Sequence, residues 1–481
     1  MKTLNRQIGW LAVGQSAVRG AQVIAVLALV HVINPSEWNT LALAFSIYFV
    51  GITVGSLNLE HSVLTFLPRI EHRQYRMFLV QTRRFLFVAA AVTAVLVFVA
   101  QITFGFMGGL FSVTFLASAI LFEIPAVIGG PVYIARGLHR AAAMWDLASA
   151  FGFLVCVFLP AVLIGSATSV LFGLAIHGAV RLVAFAFVVR GVNDEQINVP
   201  IANLARTQIA FCAPLGISLA LGTLTRAVDK WIVAWQLPSS IGAYTVAAQE
   251  IPLLAVLPYA GGAAVTASLV RHLANNDTHS ACHSWREQAE SLCIPVVSLS
   301  VGIALVAPEL FAVAVPHSPS GAATSFAIFS FIGIHRVTEY GVVLRAANQN
   351  KRIVESAAIV LIGCIIFGLI GVRIGGLVGI SLGTALAFGI GWIAILRRIS
   401  SVFGSRIRDV FPWVTWFRAI NASLAGFVGA TVIAHAFENT VARCALKIGV
   451  FVVVVRAVHT AGAEQRIVLR TPASPRPGTA Q

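Results

Sequence analysis

The chain has 481 residues, of which 58% are hydrophobic and 11% charged, with a mean hydropathy of +0.88. A soluble protein carries about 25% charged residues, so this composition excludes a soluble enzyme or binding module and points to a polytopic helical membrane protein. A net charge of +15 would suit nucleic acid, but the Lys and Arg bias of cytoplasmic loops accounts for it without such a partner.

A membrane span needs about 20 predominantly apolar residues. Dividing the chain at its polar interruptions predicts about fourteen spans on that criterion: 8–33, 38–68, 77–101, 104–134, 142–165, 169–190, 207–235, 239–270, 288–313, 322–346, 353–372, 374–396, 411–436 and 441–460. The first apolar run continues past Arg19 to Ile33 without a small-residue cleavage site, which predicts a retained helix and not a signal peptide. With the N-terminus inside, most Lys and Arg residues fall in alternate connections, among them Arg69 to Arg84, Arg136 and Arg140, and Arg397 to Arg408. An even number of spans with both termini cytoplasmic follows from that bias. The six cysteines lie mostly in apolar segments and form no CxxC pair, so neither a disulfide framework nor a zinc ribbon is predicted. His272, His279, Cys282 and His283 gather in one inner loop without a recognised metal pattern, and no Walker A or HExxH sequence occurs.

Two internal matches predict a repeat. Ile33 to Trp38 (INPSEW) matches Gln236 to Ile241 (QLPSSI) at an offset of 203, and Arg136 to Asp146 matches Arg345 to Glu355 at an offset of 209. Together they predict an all-α protein of two parallel six-helix bundles, 1–200 and 201–400, followed by two extra helices in 401–462 and a disordered cytoplasmic tail in 463–481.

Charge inside the spans is costly and marks function or pairing. Arg19 and Arg181 are predicted near the middles of their helices, and Arg226, Asp229 and Lys230 in the outer half of theirs. Arg336 with Glu339 falls at mid-depth, and Glu60 and Glu123 nearer the inner side. Arg19 has no acid within a helical turn, so it reads either as an anion contact or as the partner of a carboxylate such as Glu60. Arg226 and Asp229, at i,i+3, read either as a pair or, with Lys230, as a net positive field that attracts a phosphate. Arg336 and Glu339 have the same spacing and read as neutralising each other. Glu250 lies beside Pro252, where a kink frees carbonyls next to an acid; proton or sodium coupling and helix packing are both open.

The first-helix exit VINPSEWNTLALA (Val32 to Ala44), the basic end LPRI (Leu67 to Ile70) and RAVDKWIVAWQLPSSIGAYTVAAQEIP (Arg226 to Pro252) resemble the oligosaccharide flippases. These form the polysaccharide-transport branch of the multidrug/oligosaccharidyl-lipid/polysaccharide exporter superfamily. The resemblance covers most of residues 5–400 and implies two six-helix bundles around a V-shaped, alternating-access cavity in the bacterial inner membrane. It implies a transporter, not an enzyme, that moves an undecaprenyl-diphosphate-linked oligosaccharide to the outer leaflet for surface or exopolysaccharide biosynthesis. Its partners would be that lipid-linked oligosaccharide, membrane lipids, a polysaccharide polymerase and a chain-length regulator; it has no cofactor beyond a coupling proton or sodium ion. On this reading Arg19, Arg226, Arg336 and Arg181 line the diphosphate and sugar path, and Asp229, Lys230, Glu250, Glu339 and Glu60 gate or couple. The charges of helices seven and ten have no counterparts at the repeat offsets, so the halves contribute unequally. The last two helices resemble instead the branch that exports the peptidoglycan precursor. That cargo, or a drug, is the alternative; a membrane-embedded glycosyltransferase or polymerase would show a sizeable outer loop with carboxylates.

Overall fold

A computed structural model describes residues 2–71, 74–105, 108–190, 203–249, 251–315, 318–434 and 440–470. Among these residues the regular structure is entirely helical, as a bilayer demands of backbone that must satisfy its own hydrogen bonds. The helices are α1 (Lys2–Val32), α2 (Pro35–Gly55), α3 (Glu60–Phe66), α4 (Tyr75–Phe104), α5 (Leu110–Ala126), α6 (Gly129–Ala135), α7 (His139–Ile164), α8 (Ala167–Arg190), α9 (Leu204–Gln236), α10 (Ile241–Ala247), α11 (Pro252–Ala274), α12 (Thr278–Leu305), α13 (Ala307–Ala314), α14 (Ala322–Ile332), α15 (Gly341–Ala346), α16 (Asn350–Phe403), α17 (Ile407–Val410), α18 (Trp413–Ala434) and α19 (Thr440–Arg470).

Eleven described stretches are long and apolar enough to cross a membrane, which makes this a multi-pass membrane protein. That count differs from the fourteen expected spans for identifiable reasons. The spans 353–372 and 374–396 share α16, whose backbone departs from helix at Gly375 and at Gly376, with φ of +56°. The span 322–346 is interrupted and leaves only a short apolar helix. The expected span 441–460 falls on α19, whose side chains are described over 442–457.

Local chemistry accounts for the helix ends. Pro35 stands in the first turn of α2, where a missing N–H costs nothing, and the left-handed glycines Gly105 and Gly165 close α4 and α7. Several expected spans are broken inside. The span 38–68 divides at Ser56 to Leu59, where Leu57 and Asn58 both take left-handed φ, of 49° and 58°. Non-glycine residues there are strained by about 1–3 kcal/mol each. Gly216 of α9 admits the strained turn, since a Cβ on it would lie 3.0 Å from the Leu57 carbonyl oxygen. The span 104–134 divides at Val127–Ile128, 239–270 between α10 and α11, and 288–313 at Val306.

The two arms of α16 fold back on each other through small residues. A Cβ on Gly371 would strike the Gly379 carbonyl, one on Gly383 the Phe367 carbonyl, and one on Gly363 would sit 3.0 Å from the Ala387 methyl. Gly379, Gly383 and Ala387 recur every fourth residue, the small-residue stripe that lets helix backbones touch in a membrane. Gly173 brings α8 against the Cys156 carbonyl of α7 in the same way.

The described residues pack as two units. The first comprises Met1–Pro252, Ala314–Ser325 and Asn348–Ile395, and the second Leu253–Val313, Phe326–Ala347 and Leu396–Gln481. Within the first, α5 packs on α8, α1 on α7 and α2 on α9; within the second, α18 packs on α12 and α19.

Candidate functional site

In the first unit α9 carries Asp229 almost fully buried, at 2% exposure. Its Oδ2 accepts from the Tyr244 hydroxyl of α10 at 3.1 Å, and its Oδ1 from the Lys230 backbone N–H at 2.8 Å. Ser381 and Thr384 of α16 lie beside the same phenol. Lys230 turns back along its helix, its Nζ donating to the Arg226 carbonyl at 2.5 Å. Arg226 is exposed, with Nη2 3.5 Å from Thr223 Oγ1. The three residues are thus brought together, but the buried carboxylate is held by a phenol that spacing on α9 alone did not reveal.

The two turns matched at offset 203 meet. Asn39 Nδ2 donates to the Ser239 carbonyl at 3.0 Å, the Gly242 N–H donates to Asn39 Oδ1 at 2.8 Å, and a Cβ on Gly242 would strike the Trp38 indole. Farther along α9, Gln208 Nε2 donates to Ser62 Oγ of α3 at 3.1 Å and to Thr82 Oγ1 of α4 at 2.9 Å, all three buried. Gln208 follows no sequence motif and was not among the expected site residues.

Arg19 is exposed on α1 and shows no hydrogen bond or ion pair among the described residues. Glu60 is half-buried in the first turn of α3. Arg181 of α8 forms an ion pair with Glu123 Oε1 of α5 and lies 5.8 Å from the Trp145 ring centre. Its guanidinium is therefore committed to protein partners. Glu250 lies outside the described residues.

In the second unit, the expected helix over 322–346 stops at Ile332, passes through the 3-10 turn Gly333–His335 and resumes at Gly341. Arg336 and Glu339 therefore do not stand at helical i,i+3 spacing. Glu339 forms an ion pair with Arg345 of α15, and Arg336 is half-buried in the unwound stretch. The unwinding is satisfied from α12 and α18: Thr338 Oγ1 donates to Gln288 Oε1 at 2.7 Å, and Trp416 Nε1 donates to the Ile334 carbonyl at 2.8 Å. Lys447 of α19 is buried and donates to Glu309 Oε1 at 2.7 Å and to the Leu305 carbonyl at 3.3 Å. A lysine inside the expected span 441–460 is the signal that would have found this pair.

Around the inner loop, Asp277 Oδ1 accepts from the Ser280 N–H at 2.9 Å and caps α12, and the Ser280 bonds hold its carboxyl below the ordinary carboxylate range. His272 Nδ1 is 3.6 Å from Asp277, and His283 is 3.8 Å from Glu287.

No family model matches the chain, and no curated protein matches it. Solved structures do. The lipid II flippase MurJ in an inward closed conformation superposes with a TM-score of 0.71 at 14% identity, covering 95% of this chain and 99% of that one. An inward-facing multidrug resistance MATE transporter of the MOP superfamily gives 0.56 at 12% identity, covering 82% of this chain and 98% of that one. A MOP superfamily transporter from Pyrococcus furiosus gives 0.52 at 13% identity, covering 82% and 95%. The chain has the fold that a lipid II flippase shares with MOP superfamily transporters.

Proposed function

We propose that the protein is a transporter that moves undecaprenyl-diphosphate-linked saccharide units from the inner to the outer leaflet of the bacterial cytoplasmic membrane. The carrying observation is the extent of the fold: 95% of this chain aligns with a lipid II flippase, against 82% with a MATE transporter. The Arg226 to Pro252 motif favours oligosaccharide repeat units as cargo, for surface polysaccharide synthesis. The long alignment with a lipid II flippase favours a second reading, in which the same chemistry serves a peptidoglycan precursor. Both cargoes present a diphosphate on a lipid, so both use cations exposed in the first unit. Arg19 and Arg226 fill that role. An exposed guanidinium can accept two phosphate oxygens in a forked geometry.

Asp229, held by Tyr244, braces the outer end of α9, and a proton or sodium ion drives the cycle. The docking of the Pro35 turn on the Pro238 turn supports the two six-helix halves, 1–200 and 201–400, as does the break at Val127–Ile128, which precedes Arg336–Val337 by the 209 residues of the second sequence match. Both termini lie on the cytoplasmic side, and a polymerase and chain-length regulator are the downstream partners of the oligosaccharide cargo.

The test is deletion of the protein followed by analysis of lipid-linked glycans. Accumulation of a lipid-linked repeat unit supports the first reading, and accumulation of peptidoglycan precursor the second. Neither accumulating, with a normal cell surface, overturns the proposal. Arg19→Ala and Arg226→Ala, inserted at normal levels, are expected to lower export about tenfold or more, the loss of one charge-assisted contact of about 1.5–3 kcal/mol.

A further inference from the structure

Beside the ion pair of Arg181 and Glu123 stands a histidine that the transport reading leaves unused. His177 is one turn before Arg181 on α8 and is 5% exposed; Glu123 is likewise 5% exposed. The imidazole Nε2 lies 3.1 Å from the Ser149 carbonyl oxygen of α7. A carbonyl only accepts, so Nε2 carries the proton, and in the neutral ring Nδ1 is a bare lone pair. That lone pair faces Glu123 Oε2 at 3.7 Å. Arg181 engages the other carboxylate oxygen, Oε1. Both His177 Nδ1 and Glu123 Oε2 are buried and have no hydrogen-bond partner. Two acceptors therefore point at each other across a gap that a single proton would close.

We infer that His177 Nδ1 and Glu123 Oε2 form a proton-binding site, the place where a coupling proton is held during the cycle. This rests on the transport reading and names its ion. The proton arrives from water, binds Nδ1 to give a doubly protonated imidazolium, and is shared with Oε2 as a charge-assisted hydrogen bond; it leaves by the reverse step.

Groups facing the site favour a proton over a metal ion. From α8, Arg181 supplies one positive charge; from α2, the buried phenol of Tyr48 lies near Arg181. From α7, Asp146 lies against α1 and α6, where a Cβ on Gly14 or Gly130 would sit 3.0 Å or 3.2 Å from its oxygens. From α4, the group brought to the level of Ile120 and Ile124 is the uncharged Thr93, through Gly51 and Gly55. Phe153 stands edge-on to the imidazole at 5.8 Å. One free carboxylate oxygen and one ring nitrogen, beside a permanent cation, give a proton its two acceptors and a metal ion too few ligands. A metal ion would have to sit against the guanidinium.

The experiment uses the full chain with 15N-labelled histidine in vesicles of phosphatidylethanolamine and phosphatidylglycerol, with His177 assigned by the signal missing in His177→Gln. Across about pH 8 to 5, where histidines titrate, the wild type is expected to convert from the Nε2–H tautomer to the doubly protonated ring. Glu123→Gln is expected to lose that conversion, because Arg181 then faces the imidazole as an unopposed like charge. A ring that stays neutral throughout in the wild type overturns the inference, as does full protonation in Glu123→Gln. In the same vesicles, movement of an undecaprenyl diphosphate bearing a fluorescent saccharide is expected to speed up under a pH gradient in the wild type and to lose that acceleration in His177→Gln. Movement indifferent to the gradient overturns the coupling proton and leaves the transport reading intact. No movement at all overturns the transport reading, and the histidine signal alone then judges the site.

Discussion

The break between α5 and α6 and the break between α14 and α15 interrupt two helices in different ways. The first spans only Val127 and Ile128, apolar residues, and one oxygen of the nearby Glu123 is held by Arg181. The second runs from Gly333 to Tyr340, contains Arg336, Thr338 and Glu339, and borrows partners from α12, α15 and α18. A short apolar break leaves few backbone groups unsatisfied and stays closed. A long one needs side chains to replace the missing helix bonds, and residues of that kind are the ones that can exchange partners. Interrupted helices are where transporters place ion and substrate contacts.

The widest separation between the two breaks is expected from their acids. Glu123→Ala leaves Arg181 buried without its counterion and is expected to destabilise the protein by about 3–5 kcal/mol, read as a large fall in the melting temperature of the purified protein. If the loss were as small as that of a surface pair, the first break would not be the locked one. Removal of the Gln288 side chain as Gln288→Ala frees the Thr338 hydroxyl and is expected to cost about 1–3 kcal/mol, read in the same assay, with faster hydrogen exchange over Gly333 to Tyr340. Glu339→Gln breaks a pair whose arginine is 45% exposed, and about 1 kcal/mol or less is expected. A cost comparable to Glu123→Ala would show the second break to be locked as well.

The smallest effect belongs to neither break and calibrates them. Asp277 caps α12 with its carboxyl held below the ordinary range. Its stabilising contribution is therefore complete above the unfolded value and is lost as pH falls through the lower folded value. Asp277→Asn is expected to flatten the acid limb of the melting curve slightly and to leave neutral pH little changed.

Most of the spans were legible in the sequence, as was the match of the two proline turns, because apolar runs and turn residues are local patterns. The breaks were mostly not. Ser56 to Leu59 contains no proline, and its two left-handed residues are held by the close approach of Gly216, far along the chain. Spacing did not reveal the Arg345 partner of Glu339, since an i,i+3 argument assumes the helix that Gly333 to Tyr340 abandons. The mid-span depth of Arg181 was legible, but its partner Glu123 reaches it from another helix.

By itself, the sequence determined that this is a helical membrane protein, roughly where each span lies, and which charges were costly enough to need an explanation. Transfer of a residue into the bilayer depends on the residue and its near neighbours, so it can be summed along the chain. Only the tertiary structure decided which of those charges are spent on each other, as Glu123 is on Arg181 and Lys447 on Glu309, and which, like Arg19, remain exposed. Pairing falls off within a few ångströms and joins residues far apart in sequence, so no local pattern carries it.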